Sequence, residues 1–206
     1  MDVRDGLAGG DRAAAAMPEQ DEAVAVVRSL IDLNGLPAVT RAVTERVICA
    51  AADLCYATDL VSSEPWLEAA VAVLAAGAPV IADSPVTAAG ITDCALICKA
   101  GEPLTARLSR TAAISPAAAA VRLAVGEAGP GAVWVVGSEP AAIDEILARG
   151  ARPALVIGMP AGFSGAARAK QALRDSGLPS LTNVSEKGGP VVAAAACLAL
   201  LQGPQA

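Results

Sequence analysis

The chain contains no histidine. That absence excludes Ser-His-Asp and Cys-His catalysis, histidine-ligated metals and imidazole acid–base chemistry together. Aromatic residues are only 2% of the 206 positions, with two tryptophans, one tyrosine and one phenylalanine. Proteins that bind single strands stack bases on such rings, so that class has no platform here. Basic residues are also short: 15 Lys and Arg stand against 21 Asp and Glu, a formal net charge of −6. A surface of that sign does not neutralise phosphates, and no nucleic-acid partner is expected. The longest apolar run, Val191–Leu201, falls well short of the roughly 20 residues that cross a bilayer. The opening stretch MDVRDGLAGGDRAAAAMPEQ lacks the apolar centre of a signal peptide. The expectation is a cytoplasmic protein with no membrane partner. Cys49, Cys55, Cys94, Cys98 and Cys197 are odd in number and lack C-x-x-C spacing. They read as reduced, small apolar side chains, with neither a disulfide framework nor a metal site.

What is present is core material: 54% of the residues are apolar and 17% charged. The length suits one domain. Residues 1–20, rich in Gly, Ala and charge, read as a flexible N-terminal segment, and residues 21–206 as one α/β domain. Five times a Ser marks a helix start and a Gly its stop: Ser63–Gly77, Ser84–Gly90, Ser115–Gly126, Ser138–Gly150 and Ser164–Gly177. Pro65, Pro85, Pro116 and Pro140 sit in first turns, where a missing N–H costs nothing, and Gly supplies the left-handed residue that closes a helix. Between these units lie short apolar runs, Pro79–Asp83, Ala95–Ala100, Ala132–Gly137, Ala154–Met159 and Ser180–Val184. Runs of this composition and length predict strands buried on both faces.

Strands alternating with capped helices predict a single-domain, three-layer α/β fold, a mostly parallel sheet with helices on both faces. Two helices, over Asp21–Leu33 and Leu36–Ala57, precede the first strand. A last helix over Gly189–Leu201 is apolar nearly all round, which predicts burial, against a second subunit or within the chain.

In such a sheet, ligands bind beyond the carboxyl ends of the strands. Those ends run into Asp83-Ser84-Pro85, Gly137-Ser138-Glu139-Pro140, Gly158-Met159-Pro160-Ala161-Gly162-Phe163-Ser164-Gly165 and Lys187-Gly188-Gly189-Pro190. The third has three glycines around a helix start, where backbone N–H groups and the helix dipole favour an anion. It is neither a P-loop nor a G-x-G-x-x-G fingerprint. A tight steric turn without ligand fits those glycines equally well. Lys187 beside its glycine pair is either a carboxylate contact or a solvated lysine, and Arg168 and Lys170 add positive charge near the same mouth. On the early helix, Cys49 and Asp53 share a face and Tyr56 lies next to it. The trio is either core filling around a cysteine or a proton-handling site.

Read in order, these segments resemble the precorrin-8X methylmutase (precorrin isomerase) family of cobalamin biosynthesis. The likeness runs from about Arg46 to the C-terminus. It is densest in Ile157-Gly158-Met159-Pro160-Ala161-Gly162-Phe163-Ser164-Gly165-Ala166-Ala167-Arg168-Ala169-Lys170, similar to a family loop and helix of the form G-[MV]-P-V-G-F-V-x-A-x-E-S-K. Arg46-Val47-Ile48 with Ala52-Asp53, Gly77–Asp83, Ala89-Gly90-Ile91, Gly137–Pro140 and Lys187–Gly189 add to it. The resemblance implies an α/β homodimer whose pocket holds a corrinoid bearing many carboxylate arms. It implies a suprafacial methyl shift between adjacent ring carbons, converting precorrin-8X to hydrogenobyrinic acid without a cofactor. At matching positions it assigns substrate contacts to Asp83, Ser115, Ser138, Gly158, Gly162, Phe163, Gly165, Lys170, Lys187, Gly188 and Gly189.

The family's proton donor is the histidine of R-V-I-H-x-x-A-D, and Cys49 stands in its place. Other polar positions also depart. Ungapped counting puts the family's T-R-S on Ser115-Pro116-Ala117, the N of G-N-A-P on Ser138, and the E-S of E-S-K on Arg168-Ala169. Pro190 replaces the Ser after the glycine pair, and Pro85 an Asn. A thiol, with pKa about 8.5, is protonated at neutral pH but is a weaker acid than imidazolium by about two units. At a Brønsted slope near one half that costs about 1.4 kcal/mol, or tenfold. Its sulfur also reaches less far, and a ~1 Å misplacement can cost around a hundredfold. Three readings follow: a methylmutase using Cys49 as its acid, a family member that binds a tetrapyrrole or a partner without turnover, or a diverged dimer with no ligand.

Overall fold

The computed structural model describes residues 18–204. The expected flexible segment, residues 1–20, lies outside these but for its last three residues, which are already helical. The chain opens with α1 (Pro18–Leu30), α2 (Ala38–Ala51) and the single turn α3 (Tyr56–Asp59), then β1 (Leu60–Val61). Next come α4 (Glu64–Ala75), β2 (Val80–Ala82), α5 (Pro85–Ala89) and β3 (Leu96–Ile97). Two helices, α6 (Pro103–Ala112) and α7 (Pro116–Ala128), precede β4 (Val133–Val136). The alternation ends with α8 (Pro140–Ala148), β5 (Leu155–Gly158), α9 (Ala166–Asp175), β6 (Ser180–Asn183) and α10 (Pro190–Gln202).

The punctuation of the sequence accounts for most of these boundaries. Ser84 Oγ accepts the N–H of Thr87 at 3.1 Å and Ser115 Oγ that of Ala118 at 3.2 Å, with Pro85 and Pro116 following. Two expected caps are displaced by one residue: Glu139 precedes α8 and Gly165 precedes α9, in place of Ser138 and Ser164. α7 continues past Gly126 and closes at Gly129. The helix expected over Leu36–Ala57 ends at Ala51, because Ala52 turns left-handed at φ 51°. Asp53 Oδ1 then accepts the N–H of Cys55 at 2.9 Å, a local turn that competes with helix continuation.

The six strands run in the order β1-β6-β5-β4-β2-β3. All neighbours are parallel except β1 on β6, where Leu60 faces Asn183. Every residue of β2, β4, β5 and β6 is buried, as expected of strands covered on both sides. One face presents Val133, Val135, Leu155 and Ile157 to α2, α4 and α10. The other presents Trp134, Val136 and Val156 to α7, α8 and α9. The fold is the three-layer, mostly parallel α/β architecture. α10 is buried by its own chain, chiefly by α2, with α4 and α5 alongside, so no second subunit is needed to cover it. Its entry is fixed at Gly137, where a Cβ would stand 2.6 Å from Pro190 Cα.

Candidate active site

The loops after β2, β4, β5 and β6 meet at the carboxyl edge of the sheet, and a buried carboxylate ties the first two together. Asp83 Oδ1 accepts the hydroxyl of Thr87 at 2.7 Å, and Oδ2 accepts the N–H groups of Ser138 at 2.7 Å and Glu139 at 3.3 Å. Ser138 Oγ lies 2.6 Å from Ser84 Oγ. Asp83 and Ser138, both expected to contact a ligand, are therefore spent on joining α5 to the β4–α8 loop. Ser115 holds the start of α7.

The glycine-rich loop after β5 is likewise engaged with the β6–α10 loop. The N–H of Gly162 donates to Glu186 O at 2.8 Å, and that of Gly189 to Met159 O at 2.7 Å. These are two of the amides expected to face an anion, and both are taken. Gly188 sits at φ 139°, where a Cβ would be 2.2 Å from Met159 O. Gly188 is thus the contact between the two loops. Gly158 lies inside β5, where a Cβ would strike Leu173 Cδ2 at 2.7 Å, so it serves helix packing on the far face. Gly165 is the left-handed residue before α9. Phe163 projects from the loop, 96% exposed.

Beneath these loops lies Lys170, fully buried rather than facing the mouth. Its Nζ donates to Asn183 Oδ1 at 3.0 Å, Ser185 O at 2.5 Å and Lys187 O at 2.9 Å. Burial pushes its pKa down to about 8. Asp59 completes the cage by accepting from Asn183 Nδ2 and from the N–H groups of Val184 and Ser185. That aspartate, on the single-turn α3, carried no signal in the sequence. Arg168 pairs at the surface with Asp144 at 2.8 Å. Lys187 pairs with Asp53 at 2.5 Å, which draws the Asp53 carboxyl down to about 2.

Cys49 lies elsewhere, on a cavity of about 560 Å³ between four helices. Ala23 and Val24 of α1 form one wall, and Arg46, Cys49 and Ala50 of α2 the next. Val86, Ala89 and Gly90 close the α5 side, while Val191, Ala194, Ala195 and Leu198 of α10 make the floor. Gly90 lets α5 come close, since a Cβ there would stand 2.7 Å from Ala194 Cβ. Burial raises the Cys49 pKa, with Arg46 pulling it down and Glu45 pushing it up. The thiol is thus neutral at physiological pH, a donor rather than a nucleophile.

Of the twelve residues singled out beforehand, only Cys49 lines this cavity. Tyr56 and Asp53 do not join it: Tyr56 is buried on α3, and Asp53 has left the helix and turned to Lys187. Most of the others lie in the carboxyl-edge loops, with Lys170 buried beneath them on α9, Gly158 inside β5 and Ser115 at the start of α7. No group of three or more His, Cys, Asp or Glu among the described residues is placed to hold a metal ion. No helix among them is long and apolar enough to cross a membrane.

A family model described as precorrin-8X methylmutase matches residues 20–203. The cobalt-precorrin-8 methylmutase of Methanothermobacter thermautotrophicus is 34% identical over 182 residues, covering 85% of this chain and 87% of that protein. The precorrin-8X methylmutase of Pseudomonas aeruginosa is 34% identical over 190 residues, covering 87% and 91%. The solved precorrin-8X methylmutase of Thermus thermophilus aligns with a TM-score of 0.79 at 29% identity, over 89% of this chain and 95% of that one.

Proposed function

The chain belongs to the precorrin-8X methylmutase family of cobalamin biosynthesis, and from that premise we propose that it isomerises precorrin-8X to hydrogenobyrinic acid with Cys49 as the proton donor. The observation that carries this reading is the position of Cys49, half-buried on the wall of a 560 Å³ cavity. Val24, Val86, Val191 and Leu198 give that cavity apolar sides, suited to the methyl-bearing edge of a corrin ring.

In the reaction a methyl carbon leaves one ring carbon and bonds to its neighbour on the same face. The thiol gives the ring a proton as the methyl moves, and the thiolate recovers one when the double bonds settle. Composition is unchanged, as an isomerisation requires. Burial keeps the thiol in the protonated form this role needs. We propose further that the protein acts in the cytoplasm as a homodimer.

The test is conversion of precorrin-8X by the purified chain, followed through the visible spectrum of the product. Wild type is expected to turn over, and Cys49→Ala to bind hydrogenobyrinic acid without forming it. A wild-type protein that binds hydrogenobyrinic acid but forms none from precorrin-8X overturns the isomerisation and leaves binding alone, and one that does neither overturns both. Turnover undiminished in Cys49→Ala removes Cys49 from the chemistry. Sedimentation measures the dimer.

A further inference from the structure

We propose that Arg46 is the carboxylate-binding residue of the cavity, pairing with one acidic arm of the ligand and setting the ring edge over Cys49. The inference rests on the corrinoid reading and adds the contact that orients the ligand.

Among the described residues, Arg46 is the one charged side chain that lines the cavity. It is half-buried, and burial lowers its pKa rather than raising it, the opposite of what a carboxylate partner does. The arginines Arg28, Arg122 and Arg168 each have such a partner and are shifted upward by it. Arg46 has no ion pair among the described residues. The acid beside it, Glu45, is taken by Arg28 through two bonds of 2.7 and 2.9 Å. What holds Arg46 is neutral: its Nη2 donates to Gln202 Oε1 at 2.7 Å, at the far end of α10.

A guanidinium has five N–H donors in a planar fork that matches a carboxylate. Gln202 is the one acceptor it meets among the described residues, and the side chain lines a cavity whose other described lining residues carry no charge. A partly desolvated cation without a counter-ion is costly, and a ligand carboxylate relieves that cost on entry. Placement supports the same role. Arg46 and Cys49 are one turn apart on α2, so their side chains are neighbours on one face. A macrocycle held at Arg46 by a flexible acidic arm brings its ring edge to the thiol.

The test is a titration cycle in visible absorption. The two ligands are hydrogenobyrinic acid and the same compound with every carboxyl esterified, and the proteins are wild type, Arg46→Met and Arg46→Lys. The expected result is that Arg46→Met weakens the free acid by roughly ten- to a hundredfold. Arg46→Lys should recover part of that loss as a point charge without the fork. The ester should bind wild type and Arg46→Met alike, because it has no charge for Arg46 to meet. Equal binding of the free acid to wild type and Arg46→Met overturns the pairing while leaving the corrinoid reading intact. An equal loss for acid and ester overturns it too, since that pattern reports altered packing. Absence of any spectral change with wild type removes the corrinoid reading and the pairing together.

Discussion

Lys187 Nζ lies 2.5 Å from Asp53 Oδ2, fastening the loop after β6 to the residue just beyond α2. Lys187 is raised by this hydrogen bond and Asp53 is lowered to about 2. Both shifts favour the charged forms. The pair's contribution is therefore complete between the ordinary aspartate and lysine pKa values, about 3.9 and about 10.4, and is lost as pH falls toward 2 or rises past the raised lysine pKa. The two side chains are solvent-accessible, which screens the attraction. Asp53→Asn is expected to melt only slightly below wild type at neutral pH, and wild type alone should lose that small increment between pH 4 and 2. A large loss at neutral pH would show that the ion pair, and not the buried cage beneath it, holds the loop.

That cage makes the opposite prediction for Lys170. Lys170→Met removes the donor to Asn183, Ser185 and Lys187 at once. Asn183 Nδ2 still serves the Ser185 and Lys187 carbonyls, so the loss should stay near 2–4 kcal/mol. The pH dependence is specific. The native lysine is lowered to about 8, whereas the unfolded one stays near 10.4. The unfolded state thus binds the proton more tightly, and the resulting penalty is fully present below about pH 8. Stability should rise from about pH 8 to 10, a slope absent from Lys170→Met in denaturant titrations.

Asp83→Ala should be among the most damaging single changes in the carboxyl-edge loops. Three donors, the Thr87 hydroxyl and the N–H groups of Ser138 and Glu139, would lose their acceptor in a buried setting. At 1–3 kcal/mol for a stranded donor, a loss of about 3–5 kcal/mol is expected in chemical unfolding. Asp83→Asn should recover part of the loss, because the amide can turn its oxygen to the Ser138 and Glu139 N–H groups and its NH2 to the Thr87 hydroxyl, which can accept. An Asn variant as unstable as Asp83→Ala would mean that the negative charge, and not the acceptor oxygen, holds the Ser138 and Glu139 N–H groups.

These loops also mark where the sequence could be read and where it could not. The buried strands and the starts of α5 and α7 were legible, because apolar runs and Ser-Pro steps act over a few residues. β1 was not: two residues form a strand only by pairing with Asn183 and Thr182, more than a hundred positions away. α6 opens on Glu102-Pro103 without a Ser cap, so it escaped the Ser-to-Gly pattern. The end of α2 was hidden because an alanine, not a glycine, takes the left-handed turn. Cys49 was singled out by its place in a motif, and the structure sets it on the cavity between α1, α2, α5 and α10. The glycine loop was legible as close backbone approach, but its partner was a second loop. Sequence spacing cannot tell a ligand from a neighbouring carbonyl, and here the carbonyls of Glu186 and Met159 occupy the amides.

Gly188 and Gly162 separate contact from conformation. Both have positive φ, 139° and 122°, but a Cβ at Gly188 meets Met159 O at 2.2 Å while one at Gly162 meets nothing within 4 Å. Gly162→Ala should cost only backbone strain, of order 1–3 kcal/mol. Gly188→Ala adds a clash with backbone and must push the two loops apart, so its thermal midpoint should fall well below that of Gly162→Ala. Equal midpoints would mean that the Met159 turn yields freely.

Cysteine reactivity tests the cavity directly. Cys55 is exposed, Cys49 is half-buried with a raised pKa, and Cys197 is buried and pushed up to about 12. Alkylation requires both access and thiolate, so the native protein should label at Cys55 first, Cys49 more slowly, and Cys197 only on unfolding. Raising the pH above the ordinary thiol range should accelerate Cys49 steeply. Hydrogenobyrinic acid should then slow Cys49 and leave Cys55 unchanged, because only Cys49 lines the cavity. Mass-spectrometric mapping of the labelled peptides reads each site separately. Protection of both thiols to the same degree would place the ligand across the carboxyl-edge loops, and protection of neither would place it outside the helices altogether.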